Sequence, residues 1–281
     1  MLNAAPGKTR EPAALLDAVA TRIAKAGPSV VAFSAGVDST VVLAVAQRVL
    51  GDGALAVTGL SPSVAPAEAD DAARIAQALG ATLIFRPTTE MDDPDYVANG
   101  PDRCFHCKTD LYAVCREVVR ERGLTSILNG TNADDVGDWR PGLRAADEAG
   151  VHSPLLSAGL TKNDVRALAR HLDLPNWDKP ALACLASRLP YGTAVTPERL
   201  AAVDRVEQHL RARGFREVRA RYHGSDVRLE VEPERVAELT SLDQDQSLLE
   251  TVRAAGFDRF TVEPDGYRSG RLNDDLAGAG R

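Results

Sequence analysis

The feature that most constrains the fold is a regular alternation of short, β-branched apolar runs with longer helical patterns between Pro12 and Asn132. Four runs predict buried strands, namely PSVVAFSAG, ALAVTGLS, ATLIFRP and TSILNGTN. The stretches between them have helical periodicity and end at glycines. Because strands joined by helices of this length need crossover connections, the sequence predicts an α/β fold whose parallel sheet is covered on both faces.

The pattern changes near residue 190. TPERLAAVDRVEQHLRARG predicts a helix that begins after Thr196, and REVRARYHGSDVRLEVEP alternates and turns at Gly224, as a β-hairpin does. A last strand is predicted in FDRFTVEP. We therefore predict two domains, a parallel-sheet domain over residues 1–190 and a smaller α+β domain over residues 191–281.

Composition excludes several classes of function. The formal net charge of −7 disfavours a long nucleic-acid footprint, since phosphate binding needs a basic surface. No apolar run is long enough to cross a bilayer, and the polar start of the chain is not a secretory signal. We expect a cytoplasmic protein with no nucleic-acid or membrane partner. In a reducing compartment, paired cysteines more often bind metal or do chemistry than form disulfides.

A glycine turn, SAGVDST, lies between the first predicted strand and the next helix. This is where sheets of this type bind ligands, and Gly36 allows the backbone to approach an anion. The hydroxyls of Ser34 and Ser39 can contact pyrophosphate oxygens, and Asp38 can bind Mg²⁺. No lysine follows the turn, so it is not a P-loop, and the dinucleotide-binding glycine pattern is absent. A plain tight turn is the alternative.

Two of the four cysteines, Cys104 and Cys107, lie three residues apart in RCFHCK. This C-x₂-C spacing occurs in zinc sites, in iron–sulfur sites and in redox pairs, and it also arises in any turn of a helix. The spacing alone does not separate these possibilities. Cys115 lies in a helical pattern and is predicted to be a core residue.

The turn resembles the S-G-G-x-D-S loop of the PP-loop ATP pyrophosphatases, whose domain is adenine nucleotide alpha hydrolase-like. Ala35 stands where a glycine is usual, and an alanine predicts a negative φ at this position. The resemblance implies cleavage of ATP to AMP and pyrophosphate, with Mg²⁺. It also implies that ATP is bound by Ser34, Gly36, Val37, Asp38, Ser39, Thr58, Ser61, Gly130 and Thr131.

Three further stretches are similar to the LarE family of ATP-dependent sulfur transferases, namely Asn129 to Glu148, Ser153 to Gly192 and Gly266 to Asn273. This resemblance extends over residues 12–273. Members of that family adenylate a carboxylate of a pyridinium dicarboxylate mononucleotide and convert it to a thiocarboxylate. The product serves the nickel-pincer nucleotide cofactor of lactate racemase. The resemblance therefore implies this substrate and a donor of sulfide.

The LarE resemblance implies two routes for the sulfur, and both use Cys184 in the ACLASR loop. In one route Cys184 gives up its sulfur and becomes dehydroalanine. In the other, Cys104, Cys107 and Cys184 bind a [4Fe–4S] cluster that carries an extra sulfide. Three thiolates leave one iron open, so we predict the cluster route. Arg103 and Lys108 add positive charge for an anionic substrate.

Basic and acidic residues complete the predicted site. By the same resemblance, substrate is bound by Arg140, Arg144, Ser187, Arg188, Glu207, Arg219, Arg221 and Glu230. For the four that lie in the second domain, solvated surface charges are the alternative. A homo-oligomer is expected. The competing functions are another PP-loop enzyme, such as a tRNA thiolase or an amidotransferase, and a cluster-binding sensor without catalysis.

Overall fold

The structure is a computed structural model that describes residues 10–136, 141–180, 183–268 and 270–271. Its strands are β1 (Ser29–Ala32), β2 (Ala54–Leu60), β3 (Thr82–Pro87), β4 (Ser126–Leu128), β5 (Arg219–His223), β6 (Asp226–Glu230) and β7 (Arg259–Val262). Its α-helices are α1 (Pro12–Ala26), α2 (Val37–Leu50), α3 (Pro66–Ala78), α4 (Pro94–Val97), α5 (Arg103–Arg122), α6 (Pro141–Glu148), α7 (Pro154–Ser157), α8 (Lys162–His171), α9 (Pro197–Ala212), α10 (Val236–Thr240) and α11 (Gln246–Ala254).

The chain divides into two compact units, which are not continuous in sequence. The first comprises Met1–Leu60, Pro66–Thr88 and Cys107–Ala181. The second comprises Ser61–Ala65, Thr89–His106 and Leu182–Arg281. Helix α5 thus contributes its first turn to the second unit and the rest to the first. The sequence placed a single boundary near residue 190, and the roles assigned to the two domains stay predictions.

The first unit contains a four-stranded parallel sheet in the order β3-β2-β1-β4. Val31 pairs with Ala56 of β2 on one side and with Leu128 of β4 on the other. Strand β1 and most of β2 are buried, as expected for β-branched strands in a parallel sheet. The predicted α/β fold is confirmed.

Helices α1, α2 and α8 pack together in the core of this unit. On α1 the buried residues Leu15, Val19 and Ile23 recur every four positions, which is the spacing of one helical face. Burying each such side chain contributes roughly 1.5–3 kcal/mol. Helix α8 begins with a capping box in which Thr161 and Asp164 bond each other's backbone amides, as its sequence predicts.

The second unit is built on a three-stranded sheet in the order β5-β6-β7. Strands β5 and β6 form the predicted hairpin, and β7 pairs parallel to β6. Helix α9 buries Leu200, Val203, Val206 and Leu210, which lie on one helical face.

Helices α6 and α7 lie in the stretch from Ala133 to Leu160, and helix α5 begins at Arg103. Cys104 and Cys107 therefore both lie at the start of one helix. Among the helices that the structure describes, none is long and apolar enough to cross a membrane.

The backbone of Ala35 contradicts the sequence prediction. Its φ is 55°, in the left-handed region that an alanine rarely adopts. The carbonyl oxygen of Ala35 accepts hydrogen bonds from Asn176 Nδ2 at 3.0 Å and from Lys179 Nζ at 3.3 Å. These bonds fix the peptide orientation and offset a conformational cost of about 1–2 kcal/mol.

Substitutions at Ala35 test this conformation. We expect Ala35→Gly to leave the free energy of unfolding unchanged or to raise it by up to about 1 kcal/mol, because glycine adopts a positive φ without strain. Ala35→Val is expected to lower it by at least about 2 kcal/mol, since a β-branched residue does not fit the left-handed region and the site is fully buried. Urea unfolding measures both. Ala32→Val, in the adjacent strand, is the control, and an equal effect of valine at both positions would contradict the left-handed assignment.

Candidate functional site

The turn between β1 and α2 is closed by serine hydroxyls. Ser39 Oγ donates to the Gly36 carbonyl at 3.1 Å, and the Ser34 amide donates to Ser39 Oγ at 3.3 Å. Gly36 is the N-cap of α2, and no side chain caps the helix. The amides at the start of α2 therefore have no side-chain acceptor, and with the helix dipole they form a site for an anion such as pyrophosphate.

Asp38 lies in the first turn of α2 next to a cation that the sequence analysis did not single out. Its Oδ2 forms an ion pair with Lys162 Nζ, and its Oδ1 accepts a bond of 3.4 Å from Asn132 Nδ2. Both charged side chains are partly exposed. A carboxylate can bind Mg²⁺ here, and the ammonium can contact a phosphate group, so the pair suits a nucleotide with its metal ion.

The end of β4 approaches the start of α2 very closely. A Cβ atom on Gly130 would lie 2.7 Å from the Ser39 amide nitrogen and 2.9 Å from the Asp38 carbonyl carbon, so only glycine fits. Thr131 follows, and its amide donates to Asn129 Oδ1 at 3.1 Å. The structure therefore brings the predicted Gly130 and Thr131 to the turn.

Three other predicted ATP-binding residues are placed differently. Val37 begins α2 with its side chain in the core, so only its backbone is available to a ligand. The Thr58 hydroxyl is buried and donates to the Phe33 carbonyl at 2.7 Å. Ser61 belongs to the second unit, where its Oγ lies 2.7 Å from Ser63 Oγ. Their contact with ATP stays a prediction.

Residues near the turn that the sequence analysis missed come from α8 and the segment after it. Lys162 reaches Asp38, whereas Asn176 and Lys179 bind the Ala35 carbonyl. Lys179 Nζ also pairs with Asp71 at 2.7 Å. All three lie inside the LarE-like stretch Ser153 to Gly192. The sequence around them is typical of a helix start and a loop, so it did not indicate a binding site.

In the second unit, the loop that carries Cys184 is fixed by a buried ion pair. Cys184 is half-buried and precedes a short 3₁₀ helix, Leu185–Arg188. Arg188 Nη1 donates to the carbonyls of Ala183 at 2.6 Å and of Cys184 at 3.1 Å. The other guanidinium nitrogens bind both carboxylate oxygens of Glu207, at 2.7 and 2.9 Å. This geometry fixes the backbone on both sides of the thiol.

The remaining predicted charges of this unit are also internal. Burial acts to raise the pKa of Glu207, but the guanidiniums of Arg188 and Arg211 outweigh it and hold the pKa below its usual value. Arg221 forms a two-bond ion pair with Glu230, at 3.1 and 2.9 Å, and its Nη1 donates to the Ser187 carbonyl at 2.8 Å.

Arg219 is buried, and its guanidinium lies 4.6 Å from the centre of the Tyr267 ring. The alternative of solvated surface charges is therefore wrong for Glu207, Arg219, Arg221 and Glu230, which are all buried. Their contact with substrate stays a prediction, as does that of Ser187 and Arg188.

The cysteines differ in exposure. Cys104 is exposed, Cys107 is half-buried and Cys115 is fully buried, which confirms its place in the core. Arg103 is buried beside two of the thiols. Burial acts to lower the pKa of its guanidinium, but the negative charge available at Cys184 and at Cys104 acts in the opposite direction, and the pKa is raised. Cys184 and Cys104 thus both lie close to one cation.

The arrangement of the ligands bears on which metal centre fits. Among the residues that the structure describes, the one group of three potential metal ligands with atoms within 4.8 Å of one another is Asp93, Asp95 and His106. Within this group His106 Nδ1 lies 2.8 Å from Asp93 Oδ2. A tetrahedral zinc site would need sulfurs about 3.8 Å apart. A four-iron cluster places each thiolate on a different iron, so its sulfurs are more widely separated. Among the described residues no cysteine belongs to such a group, and the cluster stays a prediction.

Two further predicted arginines, Arg140 and Arg144, belong to the LarE-like stretch Asn129 to Glu148. Arg140 lies outside the described residues. Arg144, on α6, has a largely exposed side chain that lies 3.6 Å from Glu148. Its role in binding substrate stays a prediction.

Comparison with known proteins identifies the class and then the family. The asparagine synthase family profile matches residues 12–138, the part of the chain that contains the serine-closed turn. Together with the parallel sheet and the anion site at the start of α2, this match defines a PP-loop, ATP-dependent enzyme.

The relatives narrow the class further. The chain is 38% identical over 250 residues to pyridinium-3,5-bisthiocarboxylic acid mononucleotide synthase of Lactiplantibacillus plantarum. The aligned residues cover 89% of this chain and 90% of the relative. It is 40% identical to the uncharacterized protein slr1717 of Synechocystis, over 87% of this chain and 91% of the relative. The uncharacterized protein MJ0830 of Methanocaldococcus jannaschii is 24% identical over 62% of this chain and 67% of the relative. The chain belongs to the LarE family of ATP-dependent sulfur transferases.

The difference in exposure predicts selective thiol chemistry. In metal-free, reduced protein we expect iodoacetamide to modify Cys104 readily and Cys115 at least about a hundredfold more slowly. Burial raises the pKa of the Cys115 thiol to about 12, so little thiolate forms, and the reagent has no access. Peptide mass spectrometry measures both rates. In denaturant the two cysteines should react alike, and comparable rates in the native protein would contradict the buried position of Cys115.

Proposed function

We propose that the protein converts a carboxylate of a pyridinium dicarboxylate mononucleotide to a thiocarboxylate, with cleavage of ATP to AMP and pyrophosphate. The observation that carries this proposal is the 38% identity over 89% of the chain to a synthase of a pyridinium bisthiocarboxylic acid mononucleotide. We also propose, by the same relationship, that the product serves the nickel-pincer cofactor of lactate racemase. The homo-oligomeric state and the cytoplasmic location remain predictions.

The first step takes place at the anion site of the first unit. A substrate carboxylate oxygen attacks the α-phosphorus of ATP, the bond from that phosphorus to the bridging oxygen of pyrophosphate breaks, and an acyl adenylate forms. The start of α2, with the Ser34 and Ser39 hydroxyls, binds the departing pyrophosphate. Asp38 would hold Mg²⁺, which neutralises phosphate charge, and Lys162 next to it supplies a further positive charge.

The second step is the attack of sulfur on the acyl carbon, which expels AMP and leaves the thiocarboxylate. Cys104, Cys107 and Cys184 would hold a [4Fe–4S] cluster. When bound, the cluster supplies a sulfide that an external sulfide donor can restore. Arg103 lies beside Cys104 and Cys184 and offsets the negative charge of their thiolates. Arg188 fixes the carbonyls on each side of the Cys184 thiol.

The alternative sulfur source is Cys184 itself. Its thiolate would attack the acyl carbon and expel AMP. Loss of the Cα proton and cleavage of the Cβ–S bond would then leave dehydroalanine and release the thiocarboxylate. This route makes no use of Cys104. The shared position of Cys104 and Cys184 beside a buried guanidinium favours the cluster route.

Other functions for this fold have less support. A tRNA thiolase needs a surface for RNA phosphates, whereas this chain has a net charge of −7. An amidotransferase and a sensor without catalysis do not account for the identity to a thiocarboxylate synthase along nearly the whole chain.

The role of Asp38 is testable. We expect Asp38→Asn to lower substrate-dependent release of pyrophosphate by at least about a hundredfold, because the change removes the carboxylate that would hold the metal ion and keeps the size of the side chain. A coupled pyrophosphate assay measures the rate. Asp147→Asn, at an exposed position on α6, is the matched control and should have no effect. Normal release from Asp38→Asn would remove Asp38 from the mechanism.

The two sulfur routes differ in iron content and in protein mass. If the cluster route operates, protein isolated without oxygen contains iron and turns over repeatedly with added sulfide, and its mass is unchanged by turnover. Cys104→Ala should then lose iron and repeated turnover together, because two thiolates bind a four-iron cluster poorly. Iron analysis and intact-protein mass spectrometry measure these outcomes, with Cys115→Ala as the control that keeps its iron.

The sacrificial route gives the opposite results. Iron is absent, Cys104→Ala has little effect, and each protein molecule reacts once. The mass then falls by about 34 Da as cysteine loses H₂S and becomes dehydroalanine. An iron-free protein with this mass loss would replace the cluster proposal with the sacrificial route.

A further inference from the structure

The buried residue Asn99 joins the segment before helix α5 to the loop that follows Cys184. It is fully buried and has a φ of 58°. Its Nδ2 donates to the carbonyls of Pro190 and Thr193, both at 2.8 Å, and more weakly to that of Leu189 at 3.4 Å. Its own carbonyl accepts the Gly192 amide at 3.1 Å. One residue therefore binds three carbonyls and one amide of the segment from Leu189 to Thr193.

Arg103 continues this connection toward the cysteines. Its Nη1 donates to Asn99 Oδ1, and also to the Ala186 carbonyl at 2.9 Å. Ala186 lies two residues after Cys184, and Cys104 follows Arg103 directly in the chain. The same guanidinium nitrogen thus contacts the Asn99 side chain and the backbone carbonyl two residues after Cys184.

The charge of Arg103 has no acidic partner within the part of the chain that the structure describes. A buried guanidinium is costly unless an anion lies near it. The ionisable groups beside Arg103 are the thiols of Cys184 and Cys104 and the phenols of Tyr96 and Tyr191. The ion pairs of Arg188 and Arg221, by contrast, use carboxylates. Arg103 instead binds the Asn99 side chain and the Ala186 carbonyl, and so it is held by neutral groups that belong to the cysteine loop and to the segment before α5.

We propose that Asn99 and Arg103, here called the clasp, position Cys184 beside Cys104 so that the two thiolates act as one ligand set. Both residues are buried and act through the cysteine loop. Only the use of this ligand set, which is to bind the cluster, rests on the proposed function. The arrangement of the two thiols belongs to the chain itself, so it is measurable in protein without metal.

The first test measures whether the two thiols lie together. Metal-free Cys107→Ser protein has Cys104 and Cys184 as its reactive thiols, since Cys115 is buried. Dibromobimane, a short reagent that joins two nearby thiols, should link them, and peptide mass spectrometry identifies the product. In this background we expect Asn99→Gly to lower the yield by about fivefold or more, because glycine keeps the positive φ and removes the side-chain bonds.

Arg103 variants separate charge from shape. Arg103→Gln should lower the yield about as much as Asn99→Gly, whereas Arg103→Lys should retain part of it, because lysine keeps one donor and the charge. Asn176→Gly removes a buried asparagine of the first unit, and Arg213→Gln removes a partly exposed arginine of the second. Neither control should change the yield. Near-normal linking in both Asn99→Gly and Arg103→Gln would overturn the clasp.

The second test measures iron binding with all cysteines present. After anaerobic reconstitution, Asn99→Gly and Arg103→Gln should hold less than about half the iron of the unaltered protein, since the ligands are no longer prepositioned. Normal iron content in both variants would overturn the role of the clasp in the ligand set. If the unaltered protein binds no iron either, but the variants still lose linking, the cluster proposal fails and the clasp stands. Circular dichroism checks folding, and if Asn99→Gly does not fold, the Arg103 variants decide.

Discussion

The arrangement of the first unit depends on one constraint, which is that β1 lies between two parallel neighbours. Strands β2, β1 and β4 all run in the same direction, so their carboxyl ends meet at one edge of the sheet. That edge places the turn after β1 beside Gly130, whose missing side chain allows the two backbones to approach within van der Waals distance. The anion site then follows from the position of α2, whose first amides have no side-chain cap. Asp38 and Lys162 complete it from two elements that are far apart in sequence.

In the second unit, the loop that carries Cys184 has little regular structure and is positioned by buried charges. Its cysteine loop is bounded by buried charges, of which Arg188 and Glu207 are almost completely removed from solvent. Loss of one partner from such a pair costs about 3–5 kcal/mol, because the other charge is left unpaired. Nη1 of Arg188 donates to the carbonyls of Ala183 and Cys184 and to Ser187 Oγ, so the cost of desolvating the charge is coupled to one conformation of the loop. Buried polar contacts here define the geometry of a reactive residue more than they add stability.

The sequence was sufficient to predict the parallel sheet, the turn after β1, the hairpin and the buried place of Cys115, because each follows from a local pattern. The prediction for Ala35 was wrong because its backbone is set by Asn176 and Lys179, more than 140 residues away. For Glu207 and Arg219 the sequence left solvated surface charges as the alternative, since neither a helical nor a strand pattern shows which charged residue has a partner across the unit. The role of Asn99 could not be predicted from the sequence, because its side chain donates to backbone carbonyl groups and every residue has such a group.

The identity of the residue after Asn99 adds a chemical consequence to its position. Asparagine followed by glycine is the dipeptide most prone to deamidation, in which the next backbone nitrogen attacks the side-chain amide through a succinimide. In the folded protein the Asn99 amide is bonded to three carbonyls and fully enclosed, which restrains that attack. An unfolded chain has no such restraint. Once Asn99 becomes aspartate, a carboxylate faces the same carbonyl oxygens, which can no longer be satisfied. Folding therefore protects the side chain of Asn99, which holds the cysteine loop, from deamidation. A chain that remains unfolded for a long time is deamidated at that position.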